Sequence, residues 1–307
     1  MESTNNNQET NFKPIKDQVN EILEQLEKGV TELFESEKFK AYLACMSKFH
    51  NYSLNNTLLI AMQKPDATLV AGFNAWKYKH GRMIKKGEKG IRILAPYTYV
   101  VDAETGKTPE SETAKLVERT GFKPAFVFDV SQTEGKELPS LGVVELSGDV
   151  KDYDKLYRAL RLNCPVAIEI KEIEDGSKGY FSDGEDLVVI KTGMSQIQTI
   201  KTIVHETAHA ILHSKSALDP NHPIDRKTME VEAESIAFTV CKRYGLDTDD
   251  YSFGYIAGWS SGKDVKELRA SLERIKDTSD KLITELDKSI ERQTAMENSV
   301  KEHDEVR

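Results

Sequence analysis

Two histidines and a glutamate are spaced in a way that is typical of metal-dependent hydrolysis. His205, Glu206 and His209 form an H-E-x-x-H pattern within the mostly apolar stretch TIVHETAHAILH, residues 202–213. Residues four apart lie on one face of a helix, so two neutral imidazoles at this spacing can bind one zinc ion. The glutamate beside them can take a proton from a water molecule on that ion. The pattern therefore predicts a zinc site with Glu206 as the general base, and the alternative is a helix with incidental surface histidines.

A third ligand is needed, because a catalytic zinc site usually has three protein ligands and one open position. The longer motif H-E-x-x-H-x-x-G-x-x-H does not supply it, since Leu212 and Lys215 stand where its glycine and last histidine would be. His213 continues the series of histidines, but its side chain is rotated by about 80° from that of His205. We therefore expect His213 to be a structural residue or to lie at the rim of the site.

The next predicted helix, residues 228–244, offers carboxylates instead. Glu230 and Glu234 are four apart, so they share one face of this helix and lie close to each other. Glu232 is rotated by about 200° from Glu230, and we expect it to face solvent. The helix is thus the better source of the missing ligand, and the alternative is that its three acids are surface residues of an amphipathic helix.

The composition is that of an ordinary globular protein. Of the 307 residues, 38% are hydrophobic and 30% are charged, and the formal net charge is -9. This length suits two domains. The sequence contains no run of about 18 apolar residues, so we expect no membrane span. The N-terminus lacks the basic and apolar regions of a secretory signal. Cys45, Cys164 and Cys241 are far apart, which favours reduced thiols in a cytoplasmic protein.

The predicted elements occur in blocks, which indicates an α+β fold. Apolar residues at helical spacing predict an N-terminal helical bundle, with helices at residues 19–34, 37–49 and 54–62. Short β-prone segments follow up to about residue 141, and residues 142–150 are a plausible linker. Beyond them we predict a helix and several strands: 153–162, 166–170, 178–181 and 187–191. A last apolar stripe, from Leu268 to Ile290, predicts a long C-terminal helix.

A local concentration of positive charge lies in the first half of this acidic chain. Residues 76–92 contain seven lysines or arginines and one acid, and aromatic residues lie in or beside the segment. Cations bind phosphates and aromatic faces stack on unpaired bases, so the combination favours single-stranded nucleic acid. The candidate DNA-binding residues are Trp76, Lys77, Lys79, Arg82, Lys85, Lys86, Lys89 and Arg92. We predict a hairpin that pairs residues 82–85 with 91–96, and the alternative is a solvated basic hairpin whose aromatic residues serve the core.

An ordered series of short motifs carries a resemblance to a known family. The motifs are YSLNN at 52–56, GFNAW at 72–76, KGEKG at 86–90 and FDVSQT at 128–133. In this order they resemble the ArdC family of antirestriction proteins, which occur on conjugative plasmids and transposons. The resemblance covers roughly residues 35–260. It implies a first domain that binds single-stranded DNA and a second, zincin-type metallopeptidase domain with Zn²⁺ as its cofactor.

A second resemblance concerns the acidic helix. The segment from Glu230 to Glu234 is similar to the E-x-E-A-D/N segment of ImmA/IrrE-like peptidases. This similarity implies that Glu230 is the third zinc ligand and that Glu234 holds a ligand histidine by its other ring nitrogen. The chain departs from that pattern at position 234, where glutamate replaces the usual aspartate or asparagine.

Three functions remain open on these observations. The first is an antirestriction-type protein of a mobile element, which binds single-stranded DNA and has a zinc-dependent peptidase domain acting on a protein substrate. The second is an ImmA/IrrE-like regulatory metalloprotease that cleaves a repressor. The third is a non-enzymatic DNA-binding protein with a structural zinc, which Glu206 argues against because such a site needs no base. We divide the chain into residues 13–141, 150–262 and 263–307, the last being a C-terminal helix and tail.

Overall fold

The chain forms blocks of helices and small sheets, as seen in a computed structural model that describes residues 13–34, 36–108, 115–138, 150–221, 223–246 and 256–305. The helices are α1 Ile15–Leu33, α2 Ser36–Lys48, α3 Leu54–Gln63, α4 Val150–Asn163, α5 Gln196–Leu212, α6 Arg226–Arg243, α7 Ile256–Ser260 and α8 Val265–Glu305. The strands are β1 Val70–Gly72, β2 Arg82–Ile84, β3 Ile91–Asp102, β4 Leu116–Asp129, β5 Thr133–Gly135, β6 Ala167–Lys171, β7 Gly179–Ser182 and β8 Leu187–Lys191. The predicted α+β class is confirmed.

The N-terminal helices form where apolar residues recur every three or four positions. In α1, Ile22, Leu26, Val30 and Leu33 are buried, so one face of the helix packs on the core. The third helix begins at an N-cap, because the Ser53 side chain accepts a hydrogen bond from the backbone of Asn56 at 3.3 Å. The predicted helices of the bundle are therefore present, with ends within a few residues of the expected ones.

The first sheet is antiparallel and has the strand order β1-β4-β3. The predicted hairpin between residues 82–85 and 91–96 is wrong, because β2 pairs with β5 and β3 pairs with β4. The turn between β2 and β3 is instead held by Gln132, whose side-chain amide donates to Glu88 and to the backbone carbonyl of Lys89. These bonds hold the turn between β2 and β3 against a residue more than forty positions away, a contact that no local pattern reveals.

Strands β2 and β5 form a two-stranded sheet, and a further sheet has the order β6-β8-β7, with β6 and β8 parallel and β7 antiparallel at one edge. Its strands lie within one residue of the predicted segments 166–170, 178–181 and 187–191. Residues 142–149 of the predicted linker lie outside the described residues. No helix in the described ranges is long and apolar enough to cross a membrane.

One apolar core joins the two halves of the described chain. Its buried residues come from α1 to α3 and also from α4, α5, α6 and α8. Phe34 in the first half contacts the edge of Trp259 in the second, with ring centroids 5.4 Å apart. The α8 helix also holds the N-terminal bundle, since Arg269 donates to the side chain of Asn55 at 2.6 Å. The three-part division of the chain stays a prediction.

Candidate metal centre

Two capped helices position the residues of the H-E-x-x-H pattern and its acidic partner. Ser195 accepts a hydrogen bond from the backbone of Gln198 at 3.2 Å and so fixes the start of α5. Asp225 accepts one from the backbone of Thr228 at 2.8 Å and fixes the start of α6. Buried apolar residues of both helices belong to the same core. This packing brings the histidine face of α5 against the carboxylate face of α6.

The ligand atoms of His205, His209 and Glu230 form a small triangle. The two Nε2 atoms are 3.2 Å apart, and Oε2 of Glu230 lies 3.5 Å from His205 Nε2 and 3.8 Å from His209 Nε2. A tetrahedral zinc site with bonds of about 2.1 Å separates its ligand atoms by about 3.4 Å. The residues present therefore fit one divalent ion. Among the described residues, these are the three whose ligand atoms converge in this way.

The carboxylate Glu234 orients the first of these histidines. Its Oε2 lies 3.2 Å from Nδ1 of His205, the ring nitrogen that faces away from the triangle. Glu234 is in turn held by Lys201, whose Nζ is 3.3 Å from Oε1. A hydrogen bond to Nδ1 leaves the Nε2 lone pair free for a metal, which is the usual arrangement around ligand histidines. Glu234 therefore lies beside Nδ1 of His205, and its orienting role stays a prediction.

The titration of the cluster follows from the same contacts. Burial lowers the pKa of His205, but hydrogen bonds to Glu230 and Glu234 outweigh burial and raise this pKa to about 9. The nearby imidazoles of His205 and His209, at 3.5 and 3.8 Å, hold the pKa of Glu230 far below its usual range. The carboxylates therefore stabilise positive charge at the His205 imidazole, as they would stabilise a bound cation.

The candidate general base, Glu206, lines the same cleft. The cleft has a volume of about 600 Å³ and is also lined by the three ligand residues and by Gly179, Tyr180 and Phe181 of β7. Glu206 is only 8% exposed, and burial raises the pKa of its carboxyl, with His205 and His209 opposing the shift. A carboxylate with a raised pKa accepts a proton more readily than an exposed one does.

Sequence reasoning missed the surroundings of His213 and Glu232. The expectation that Glu232 faces solvent is wrong, because its side chain is 0% exposed. It does point away from Glu230, as the helical rotation requires, but α8 covers that side of α6. His213 is also buried, with a side chain that is 3% exposed. One sequence signal was available: the apolar residues Met229 and Val231 lie about 200° apart around α6, which indicates a helix covered on more than one side.

The basic segment is arranged differently from its prediction. Trp76 is fully buried and donates to the backbone carbonyl of Phe128 at 2.8 Å, so it is a core residue, which corrects its assignment to base stacking. Lys85 and Arg92 donate to the backbone carbonyls of Ser131 and Gln18.

Arg82 is bound in the same manner, because its guanidinium donates to Thr133 and to the backbone of Lys136. Three of the predicted DNA-binding cations therefore bind backbone carbonyls within the fold. The remaining candidates are exposed side chains: Lys77, Lys79, Lys86 and Lys89.

The geometry thus defines a class, an α+β protein with a metal-ligand cluster of two histidines and a glutamate. Comparison with known proteins narrows this class. Residues 13–128 match the model of the N-terminal domain of the anti-restriction factor ArdC. These residues therefore carry an ArdC-type N-terminal domain.

Similar proteins extend over more of the chain. An uncharacterized protein of Bacillus anthracis is 29% identical over 95% of this chain, which spans 56% of that protein's length. The metal-free crystal structure of ArdC from the R388 plasmid has a TM-score of 0.50 at 21% identity, covering 78% of this chain and 86% of its own. Its Mn(II)-bound structure has a TM-score of 0.48 at 19% identity, covering 78% and 85%. At these identities the likeness concerns the fold.

Proposed function

We propose that the protein is an antirestriction factor of a mobile genetic element, which binds single-stranded DNA and carries a zinc-dependent peptidase domain. The observation that carries the peptidase part is the ligand triangle of His205, His209 and Glu230 with Glu206 in the same cleft. The DNA-binding part is supported by the ArdC-type N-terminal domain and by its exposed cations.

Each residue of the cleft has a definite task in this proposal. His205, His209 and Glu230 would hold a divalent ion, which would supply the Lewis acidity for hydrolysis of a peptide bond. Glu206 accepts the proton of the attacking water and returns it to the leaving amine. Glu234 keeps the Nε2 lone pair of His205 directed into the triangle. Zinc suits this mixture of nitrogen and oxygen ligands in a tetrahedral arrangement.

The edge strand β7 suits an extended peptide substrate. It pairs with β8 on one side, and its other side is the edge of the sheet as far as the structure describes it. Gly179, Tyr180 and Phe181 of this strand line the cleft together with Glu206. A substrate that adds as a further strand gains main-chain hydrogen bonds and brings a peptide bond to the ligand triangle. We therefore expect the substrate to be an extended or unfolded segment of a protein.

The exposed part of the basic segment suits single-stranded DNA. Tyr78 is 75% exposed, and the Lys77 ammonium lies 5.1 Å from the centre of its ring. Phe73 is also exposed, on the same short stretch of chain. An aromatic face for a base beside a cation for a phosphate is the usual combination for unpaired strands. A repressor-cleaving protease with a purely protein-docking first domain has no use for this surface.

The experiment on the metal part uses the full-length chain. Zinc affinity is measured by competition with a chromophoric chelator, for wild type, Glu230→Ala and the control Glu185→Ala, which removes an exposed glutamate of the β7–β8 turn. The proposal expects about one zinc per chain and at least about 100-fold weaker binding in Glu230→Ala alone. Equal affinity in all three proteins contradicts the proposed ligand set.

A further inference from the structure

A fully buried carboxylate lies behind the metal centre, on the side of α6 opposite to Glu230. Oε1 of Glu232 accepts a hydrogen bond from the Ser271 hydroxyl at 2.7 Å. The Arg274 guanidinium binds both carboxylate oxygens through Nε, at 3.0 and 3.1 Å. Both partners belong to α8, so this ion pair ties the C-terminal helix to the helix that carries the third ligand.

The same carboxylate is connected to the ligand His209 through His213. Nε2 of His213 lies 3.1 Å from Oε2 of Glu232, and Nδ1 of His213 lies 2.9 Å from Nδ1 of His209. The other nitrogen of His209, Nε2, belongs to the ligand triangle. A continuous line of contacts therefore leads from the triangle through two imidazoles to a buried carboxylate and on to α8.

The direction of the hydrogen bonds along this line follows from its two ends. Arg274 and the Ser271 hydroxyl both donate to Glu232. Since an ionised carboxylate can only accept, Nε2–H of His213 also donates to it. His213 is then left with a lone pair at Nδ1, which accepts the Nδ1–H of His209. That tautomer of His209 has its lone pair at Nε2, directed into the triangle. With both imidazoles neutral, this arrangement satisfies every member of the line.

We propose that His213 and Glu232 position His209 for metal binding and that Arg274 and Ser271 make α8 part of the metal centre. This inference rests on the proposed function, since it concerns the same ion. Each ligand histidine then has its own anchor: Glu234 contacts His205 directly, whereas Glu232 acts on His209 through a second imidazole. The buried ion pair supplies fixed geometry at this point, which well-packed apolar residues would not.

The competing explanation is that the line of contacts only docks α8 and does not position His209. A second pair of residues in the chain serves as a control that distinguishes these two explanations. His50 and Asp280 form a similar half-buried contact between the N-terminal bundle and α8, with Nδ1 and Oδ1 2.9 Å apart. This pair docks the same helix but touches no ligand residue. If the line around Glu232 merely docked α8, then His213→Ala and His50→Ala would have similar consequences for the metal.

The test uses the full-length protein loaded with Co²⁺ or Zn²⁺. Zinc affinity and the visible absorption of bound Co²⁺ are measured for wild type, His213→Ala, His50→Ala and the double variant Glu232→Gln, Arg274→Met. The double variant removes both charges together and leaves no unpaired buried charge. We expect His213→Ala and the double variant to bind zinc about 10- to 100-fold more weakly and to change the Co²⁺ spectrum. We expect His50→Ala to match wild type in both measurements.

The outcomes separate cleanly. Weaker zinc binding and a changed Co²⁺ spectrum in His213→Ala and in the double variant, with wild-type values in His50→Ala, support the positioning role. Wild-type affinity and spectrum in both His213→Ala and the double variant overturn it, as does an equal loss in His50→Ala. A wild-type protein that binds neither metal at this site overturns the proposed function itself, and this failure is distinct because no variant is needed to see it.

Discussion

The metal centre and the basic segment are both rich in charged residues, yet the structure uses those residues in opposite ways. In the metal centre, side chains from α5 and α6 converge, so that three ligand atoms lie within 4.8 Å of one another. In the basic segment the cations diverge. Arg82, Lys85 and Arg92 donate to the separate backbone carbonyls of Thr133, Ser131 and Gln18. Convergence of unlike groups in a cleft indicates chemistry, whereas a concentration of like charges in sequence does not show which of them face a ligand.

The largest effect should come from Glu206, which is the residue that separates a peptidase from a passive metal site. Glu206→Gln keeps the size of the side chain but cannot accept a proton. We expect proteolysis of denatured casein or of a fluorogenic peptide library to fall by about 10²- to 10⁴-fold, with zinc content unchanged. Glu185→Gln, on the exposed β7–β8 turn, serves as the matched control and should cleave at the wild-type rate. Undiminished cleavage by Glu206→Gln would remove the general base from the account.

Two aromatic residues of the basic segment should differ in what their loss affects. Trp76→Ala empties a fully buried position and leaves the Phe128 carbonyl without its donor, so we expect a loss of about 3–5 kcal/mol in unfolding free energy. Tyr78→Ala at an exposed position should change stability by less than about 0.5 kcal/mol. It should instead weaken single-stranded DNA binding by about 1–3 kcal/mol. Urea denaturation and fluorescence anisotropy measure the two effects, and equal stability losses would contradict the assignment of Trp76 to the core.

Asp129 offers a pH-dependent test of the sheet that supports the basic segment. It is buried, and its carboxylate accepts hydrogen bonds from the backbones of Thr68, Leu69 and Ser131 at 2.7, 3.0 and 2.9 Å. Burial alone would raise the pKa of Asp129, but hydrogen bonds from Ser131, Thr68 and Leu69 outweigh burial and lower this pKa. A lowered folded-state pKa stabilises the protein above the unfolded value of about 3.9, and that stabilisation is lost as the pH falls through the folded-state value.

The expected result for Asp129→Asn is therefore a cost of about 1–3 kcal/mol at neutral pH that shrinks below about pH 4. Chemical denaturation at several pH values measures the difference from wild type. Asp154→Asn, at an exposed position of α4, should show little difference at any pH. A cost that stays constant between pH 3 and pH 7 would show that the charge of Asp129 is not what matters.

The smallest effect should come from removing two exposed lysines of the basic segment, and it concerns the salt dependence of DNA binding. Lys86→Ala with Lys89→Ala should make the negative slope of log affinity against log salt for single-stranded DNA shallower by about 1.4, because about 0.7 is lost for each phosphate contact. The exposed lysines Lys266 and Lys281 of α8 provide a control with an equal loss of charge. If both double variants change the slope equally, the DNA does not lie on this surface.

Sequence and structure agree best where geometry is local. The H-E-x-x-H spacing predicts that the side chains of His205 and His209 share one face of the helix, because four residues make about one turn. The same argument predicts that Glu230 and Glu234 share one face of their helix, whereas their separate roles are implied only by the resemblance to ImmA/IrrE-like peptidases. What could not be predicted depends on partners distant in the chain: the cover that α8 places over Glu232, the turn held by Gln132, and the pairing of β2 with β5. Periodicity states which face a residue lies on but not what covers that face.

The most direct test of the central claim is a crystal of the full-length protein grown with zinc and measured at the zinc absorption edge. The account predicts one anomalous peak at about 2.0–2.2 Å from His205 Nε2, His209 Nε2 and a carboxylate oxygen of Glu230. A zinc ion bound by other residues, or bound without Glu230, would contradict it.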